Sequence, residues 1–326
     1  MIALYILIAL ALGFAFLNGV HDASNVVSTL ISSRSMSPTK ALIMTALAEF
    51  AGPFLFGVAV AKTIGKGLVA EEAMTLSVIV AALSGAILWN IITWVFGIPS
   101  SSSHALVGGI LGAVIMEGGI GHVIFNGMAL VLISLFASPI IGMLVGFVFT
   151  RLVYFLARRA SLRINWFFKN GQILTGLGLA LSQGTNDAQK AMGIITMGLV
   201  AADILPSFEV PLWVVFLSAG ALATGTATGG WGMIHTLGGK FYKIRPVNGF
   251  SAQAGAASVL LTAALLGGPV SSTQVVSSTI AGVGAAERMS KVRWGVLGNI
   301  IRAWLLTIPA AGAMAALVYW FTDLIF

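Results

Sequence analysis

The sequence predicts an all-α polytopic membrane protein of about ten spans, in two inverted repeats of five, with broken or re-entrant helices at the midplane. Three observations carry this reading. Of 326 residues, 58% are apolar and only 8% charged, against roughly a quarter charged in soluble domains. Seventeen Lys and Arg with ten Asp and Glu cannot solvate the outside of such a chain, so lipid is its main solvent. Apolar stretches also recur along the whole length, each near the roughly 20 residues a helix needs to cross the hydrocarbon core. Finally, three polar motifs of the first half return in the same order in the second.

Apolar runs between polar breaks place the spans at 2–33, 41–62, 74–96, 98–117, 124–150, 171–201, 211–237, 249–267, 269–286 and 293–322. The first reads as a retained span rather than a cleaved leader, because no Lys or Arg precedes Arg34. Spans 1 and 6 are long enough to be broken helices, and span 4 or span 9 could be re-entrant. With the N-terminus outside, the cytoplasmic loops hold Arg34 and Lys40, then Arg151, Arg158, Arg159, Arg163 and Lys169, then Lys240, Lys243 and Arg245, then Arg288, Lys291 and Arg293. Only Lys62 and Lys66 fall opposite, with Lys190 and Arg302 inside spans. The positive-inside rule therefore predicts a multi-pass cell-membrane protein with both termini outside. It accounts for the net charge of +7 without nucleic acid as a partner. The absence of Cys excludes disulfides, thiolate metal sites and cysteine catalysis.

The recurring motifs define the repeats. Asn18-Gly-Val-His-Asp22-Ala-Ser-Asn25 aligns with Gln183-Gly-Thr-Asn-Asp187-Ala-Gln-Lys190, Lys62-Thr-Ile-Gly65 with His235-Thr-Leu-Gly238, and Pro99-Ser-Ser-Ser-Ser-His104 with Pro269-Val-Ser-Ser-Thr-Gln274. The displacements are 165, 173 and 170 residues. Five spans per repeat is odd, so the second repeat enters the membrane inverted. Residues 1–150 form the first repeat, 171–326 the second, and the basic stretch 151–170 a cytoplasmic linker. Inverted repeats with polar, Gly- or Pro-interrupted segments at matching places are the plan of secondary transporters, with the site at the repeat interface.

Acidic residues in lipid are expensive and face the bundle interior. Asp22 and Asp187 occupy equivalent positions among amides and small residues, where a helix could unwind and present oxygens to a proton, to Na+ or to a divalent ion carried with substrate. The plainer alternative is a pair of buried aspartates capping half-helices. Glu49, beside Gly52-Pro53, lacks an obvious mate in the second half, and a structural hydrogen bond competes with a transport role. Glu117 reads as a solvated end. The two Ser/Thr clusters each suit a helix start, with Pro in the first turn and free backbone N–H groups behind it, and a helix N-terminus is a ready anion site. Ser101, Ser102, Ser103, Ser271, Ser272 and Thr273 are thus candidates to grip a tetrahedral oxyanion, against close helix packing as the alternative. His104 matched by Gln274 argues against a symmetric histidine metal site. His21 could accept a proton near neutral pH. Arg302 reads as pairing within the bundle or with headgroups, with a place on an anion path as the other reading. No Gly-rich nucleotide loop is present. An intramembrane enzyme using Asp22 with His21 or His104 is the remote alternative.

These motifs resemble those of the inorganic phosphate transporter (PiT) family. NGVHDASN and QGTNDAQKAMG are close to its paired signatures, GIPSSSSHALVGGILG and GGPVSSTQVVSSTIAG to its Pro-Ser-Ser-Ser/Thr-His pattern, and Gly249-Phe-Ser-Ala-Gln253 is also similar. The resemblance implies phosphate import by alternating access. It also implies that Asp22, Asn25, Asn186 and Asp187 hold the coupling cation, and that the Ser/Thr clusters hold phosphate. Lys190 at the place of Asn25 resembles the bacterial low-affinity, proton-coupled branch more than the sodium-coupled one. A homodimer without cofactors is implied as well. A sulfate permease of the same family is the alternative, because another tetrahedral dianion needs little change.

Overall fold

The computed structural model describes residues 1–98, 100–161, 163–229 and 245–325. The expectations at Pro99, at His235–Gly238 and at Lys240 and Lys243 fall outside them. Eleven α-helices account for most of the described residues: α1 Ile2–Ser32, α2 Pro38–Phe56, α3 Ala59–Lys66, α4 Leu76–Val95, α5 Ser102–Gly118, α6 Phe125–Ala157, α7 Ile164–Ala201, α8 Leu212–Thr228, α9 Pro246–Leu265, α10 Ser272–Glu287 and α11 Trp294–Ile325. Of these, α1, α2, α4, α6 and α11 are long and apolar enough to cross a membrane. Large apolar side chains such as Phe125, Ile140, Leu156, Leu174 and Leu212 stay exposed on the outside, as a lipid-facing surface requires.

The structure corrects one expectation and refines two. First, α1 and α7 run unbroken through both signatures. Asn25 donates to Asp22 and Lys190 to Asp187 within the same helix, so these polar groups find side-chain partners without freeing backbone. The break falls in span 2 instead, at Gly57, whose φ of 83° ends α2 before α3 begins. Second, of the linker 151–170 only 158–163 lies between helices, with Arg151 on α6 and Lys169 on α7. Apolar residues on the outer sides of α6 and α7 let both helices continue past the expected span ends. Third, spans 3 and 4 form one helical hairpin, and spans 8 and 9 another. The segment before α4 is joined to the one after α5 by Ala70 N to His122 O at 2.9 Å and Ile124 N to Leu68 O at 3.0 Å. The corresponding ends of α9 and α10 are joined by Arg245 and Glu287 at 3.7 Å. The two hairpins therefore open toward opposite ends of the bundle. Their turns meet in the middle, where Ser103 Oγ donates to Val270 O at 2.9 Å.

Local geometry recurs between the halves. Both α4 and α9 have 20 residues, each followed by a glycine of positive φ, 63° at Gly97 and 75° at Gly267. Pro139 lies inside α6 and Pro309 inside α11. Packing crosses between halves: α5 lies on α11 as α10 lies on α6, and α8 on α1 as α2 on α7. Gly19 and Gly184 permit the last two contacts. A Cβ at Gly19 would overlap the Leu222 carbonyl, and one at Gly184 the Glu49 backbone. These signature glycines serve close approach rather than unwinding.

Candidate functional site

The hairpin turns and the middle of α1 and α7 enclose a polar centre. Each short hairpin helix starts with a serine cap: Ser101 Oγ accepts from His104 N at 3.1 Å and Ser271 Oγ from Gln274 N at 3.4 Å. This is the N-cap geometry expected of Ser three residues before a free N–H. Ser101 and Ser271 thus act in the centre through the backbone they order, and their neighbours present the hydroxyls. Pro269 precedes the cap by two residues instead of occupying the first turn, because the serine supplies the cap and the helix begins only at Ser272.

The donors converge on α1. Ser272 Oγ donates to Asp22 Oδ2 at 3.0 Å, Thr273 Oγ1 to Asp22 Oδ1 at 2.5 Å, and Asn25 Nδ2 to the same oxygen at 2.9 Å. On the other hairpin, Ser102 Oγ donates to Asn18 Oδ1 at 2.5 Å. The Val270 carbonyl receives Ser103 Oγ and, at 3.3 Å, Asn186 Nδ2. Asp187 takes a different partner: Lys190 Nζ lies 2.5 Å from Oδ1. The two aspartates, equivalent in sequence, are thus held differently, one by neutral donors and one by an ammonium.

Glu49 has the partners that sequence reading missed, and both belong to the second half. Gln183 Nε2 donates to Oε1 at 2.7 Å, while Thr226 donates to Oε2. Gln183 also donates to the Asp22 carbonyl at 3.1 Å, so one amide links α1, α2 and α7. A signal existed for Gln183, which opens the second signature where Asn18 opens the first. None existed for Thr226. His104 Nδ1 accepts from Gln274 Nε2 at 3.1 Å, which pairs the two mismatched ends of the Ser/Thr motifs. Arg302 bonds Asn299 at 3.4 Å on an exposed face, away from this centre, and Glu117 is exposed at the end of α5.

The centre is closed: Asp22 and Asp187 are 1% exposed and Lys190 is 0%. Among the described residues Lys190 is the one buried Lys or Arg, yet it shares the centre with three carboxylates that act on one another electrostatically. Added negative charge is therefore costly there unless a proton or metal ion accompanies it. Several buried polar atoms have no partner among the described residues, among them the acceptors Asn25 Oδ1, Asn186 Oδ1 and Asp187 Oδ2 and the donor Asn18 Nδ2. Such atoms call for a further partner, such as a water, an ion or a polar ligand.

A model of the phosphate transporter family matches residues 18–167 and 157–315. A probable low-affinity inorganic phosphate transporter of Rhizobium meliloti is 44% identical over 321 residues, covering 98% of this chain and 96% of the relative. The protein of the same description from Bacillus subtilis is 42% identical over 327 residues, with 98% and 97% covered. Among solved structures, one titled as the sodium-dependent phosphate transporter superposes with a TM-score of 0.90 at 26% identity, over 100% of both chains. These relatives are named as transporters, which sets aside the intramembrane enzyme. With a family model spanning both halves and relatives alike over nearly their whole length, the chain belongs to the phosphate transporter family.

Proposed function

We propose that this protein imports inorganic phosphate, alone or as a neutral metal–phosphate complex, coupled to a cation gradient by alternating access between repeats 1–150 and 171–326. Both termini lie outside, and α4–α5 and α9–α10 are re-entrant. The recurrence of helix lengths, glycine turns and prolines supports the two repeats. Sidedness is supported by charge: the end holding Arg34, Arg158, Arg159, Arg163, Arg288 and Lys291 is basic, while Glu72, Glu117, Asp203 and Glu209 gather with Lys62 and Lys66 at the other.

The observation that carries the mechanism is the pair of hydroxyls on Asp22. Ser272 and Thr273, at the N-terminus of α10, are the donors best placed for an anion, and they donate to a carboxylate. Phosphate entering between the two helix N-termini takes over these donors together with Ser102, Ser103 and the first N–H groups. Asp22, deprived of two hydrogen bonds beside a new negative charge, then needs a proton or cation. Anion and cation binding are thereby linked through one carboxylate. Asn25, Asn186 and Asp187 complete the coupling site and Lys190 occupies its second half.

The proton reading rests on Lys190, whose ammonium stands 2.5 Å from Asp187, where it repels a metal ion. Sodium coupling is the second reading, favoured by the unpartnered oxygens of Asn25, Asn186 and Asp187, which suit a hard cation. Uptake of labelled phosphate and sulfate into proteoliposomes under imposed proton or sodium gradients separates these readings and tests the sulfate alternative. Asp22→Asn and Asp187→Asn should each abolish concentrative uptake while the protein still inserts. Wild-type accumulation in both would remove the mechanism. The homodimer implied by the resemblance is tested by mass measurement of the solubilised protein.

A further inference from the structure

On the two sides of the centre, several positions that correspond between the repeats carry different chemistry. Toward the basic end, buried polar side chains form a ladder between α1, α7 and α9. Gln172 Oε1 accepts from Ser33 and Ser35, each at 2.7 Å, and its Nε2 donates to the Thr29 carbonyl at 3.1 Å. Gln253 Nε2 donates to Thr29 Oγ1 at 2.7 Å and its Oε1 accepts from Thr175 at 2.8 Å. Gln172 and Gln253 are 0% exposed.

The displacement of 165 residues for α1 and α7, and of 170 for α4 and α9, gives the counterparts toward the other end. Leu7 stands for Gln172, Gly198 for Ser33, Ile194 for Thr29 and Leu83 for Gln253. The contact is kept while its chemistry changes: Leu7 packs on Gly198, where a Cβ would come within 2.7 Å of it. Leu7, Leu83 and Ile194 belong to one buried apolar cluster. Val107, likewise in that cluster, stands for Ser277, whose hydroxyl is fully buried and has no partner among the described residues.

We infer that the two gates of this protein are unlike. The gate at the basic end is a wettable latch of amides and hydroxyls held by Gln172 and Gln253, through which the anion and water leave, and the gate at the opposite end is a dry plug of Leu7, Leu83 and Ile194. Opening the latch exchanges protein hydrogen bonds for bonds to water, a nearly balanced trade. Opening the plug exposes aliphatic surface, which opposes hydration at every stage. The ladder is continuous with the centre through Thr29, two turns beyond Asp22 on the same face of α1. Gln172 is a positioning residue in this scheme. The inference rests on the alternating-access reading.

The absence of native cysteine makes the test direct. Ser277→Cys and Val107→Cys are introduced singly and treated in proteoliposomes with a membrane-impermeant thiosulfonate from either side, without phosphate. Ser161→Cys and Ser207→Cys, exposed at opposite ends, report orientation independently. The expected result is that S277C reacts at least tenfold faster than V107C, from the side that labels S161C. Equal rates, or a faster V107C, would overturn the inference. Reversed orientation in the two reporters would correct the sidedness alone and leave the ratio as the test. In a second measurement, Gln172→Leu should keep phosphate affinity within twofold while maximal uptake falls at least tenfold. Wild-type uptake, or an equal loss of affinity, would overturn the latch.

Discussion

Lys190→Asn places in the second signature the residue that the first carries at Asn25, and it probes the coupling site directly. Lys190 Nζ and Asp187 Oδ1 are 2.5 Å apart, and neither side chain is more than 1% exposed. Removing one partner of such a pair leaves an uncompensated buried charge, at a cost of about 3–5 kcal/mol. At roughly 2–4 °C per kcal/mol, the melting temperature should fall on the order of 10 °C. Sodium should restore much of this, since a ligand at a hundredfold excess over its Kd stabilises by about 2.7 kcal/mol and Asp187 with the Asn186 oxygen then faces an open cation position. The double change Lys190→Asn with Asp187→Asn removes the orphaned charge and should recover most of the loss without sodium. Thermal melts followed by tryptophan fluorescence, in sodium against choline chloride at constant ionic strength, read all three proteins. Wild type should be indifferent to the cation and K190N should rise by several degrees in sodium. A wild-type melt that responds to sodium as strongly as the variant's would refute the assignment of Lys190 as a built-in cation.

The donors of α10 come next: Thr273→Val, which keeps shape and loses the hydroxyl, and Ser272→Ala should each weaken phosphate affinity by about tenfold or more, as expected for a hydrogen bond to a charged group. Equilibrium binding checks this, and a change confined to thermal stability would assign the cluster to packing. Selectivity follows from counting donors, because monohydrogen phosphate carries a hydroxyl that an ionised carboxylate can accept whereas sulfate offers none. Excess sulfate should barely compete with phosphate uptake and arsenate should compete well, with discrimination of up to about 10⁴-fold within reach of such a site. Equal inhibition by sulfate would favour the sulfate-permease reading. Gly19→Ala should destabilise by about 1–3 kcal/mol, because its methyl meets the Leu222 backbone. Gly13→Ala in the same helix meets no atom of the described residues within 4 Å and should be neutral or stabilising by up to about 1 kcal/mol. Similar melting temperatures for the two variants would show that α8 does not need the close approach.

Composition alone pointed to lipid, since a chain with only 8% charged residues has too few to solvate its surface in water. Repetition of polar motifs brought Asp22, Asp187 and the two Ser/Thr clusters together as candidates, and the serines read as helix starts from local rules that need no tertiary information. The structure decided the partners. Ser272 and Thr273 meet Asp22 across some 250 residues, and Thr226 meets Glu49 across 177. Helices apolar on every side carry no periodic stripe to say which face turns inward, so such pairings depend on crossing angles that only packing sets. The continuity of α1 and α7 was likewise a tertiary outcome. Asn25 and Lys190 stand one turn from the aspartates and donate to one oxygen of each within the helix, Ser272 and Thr273 of α10 add donors to Asp22, and the signature glycines make room for α8 and α2, so the backbone had no reason to unwind.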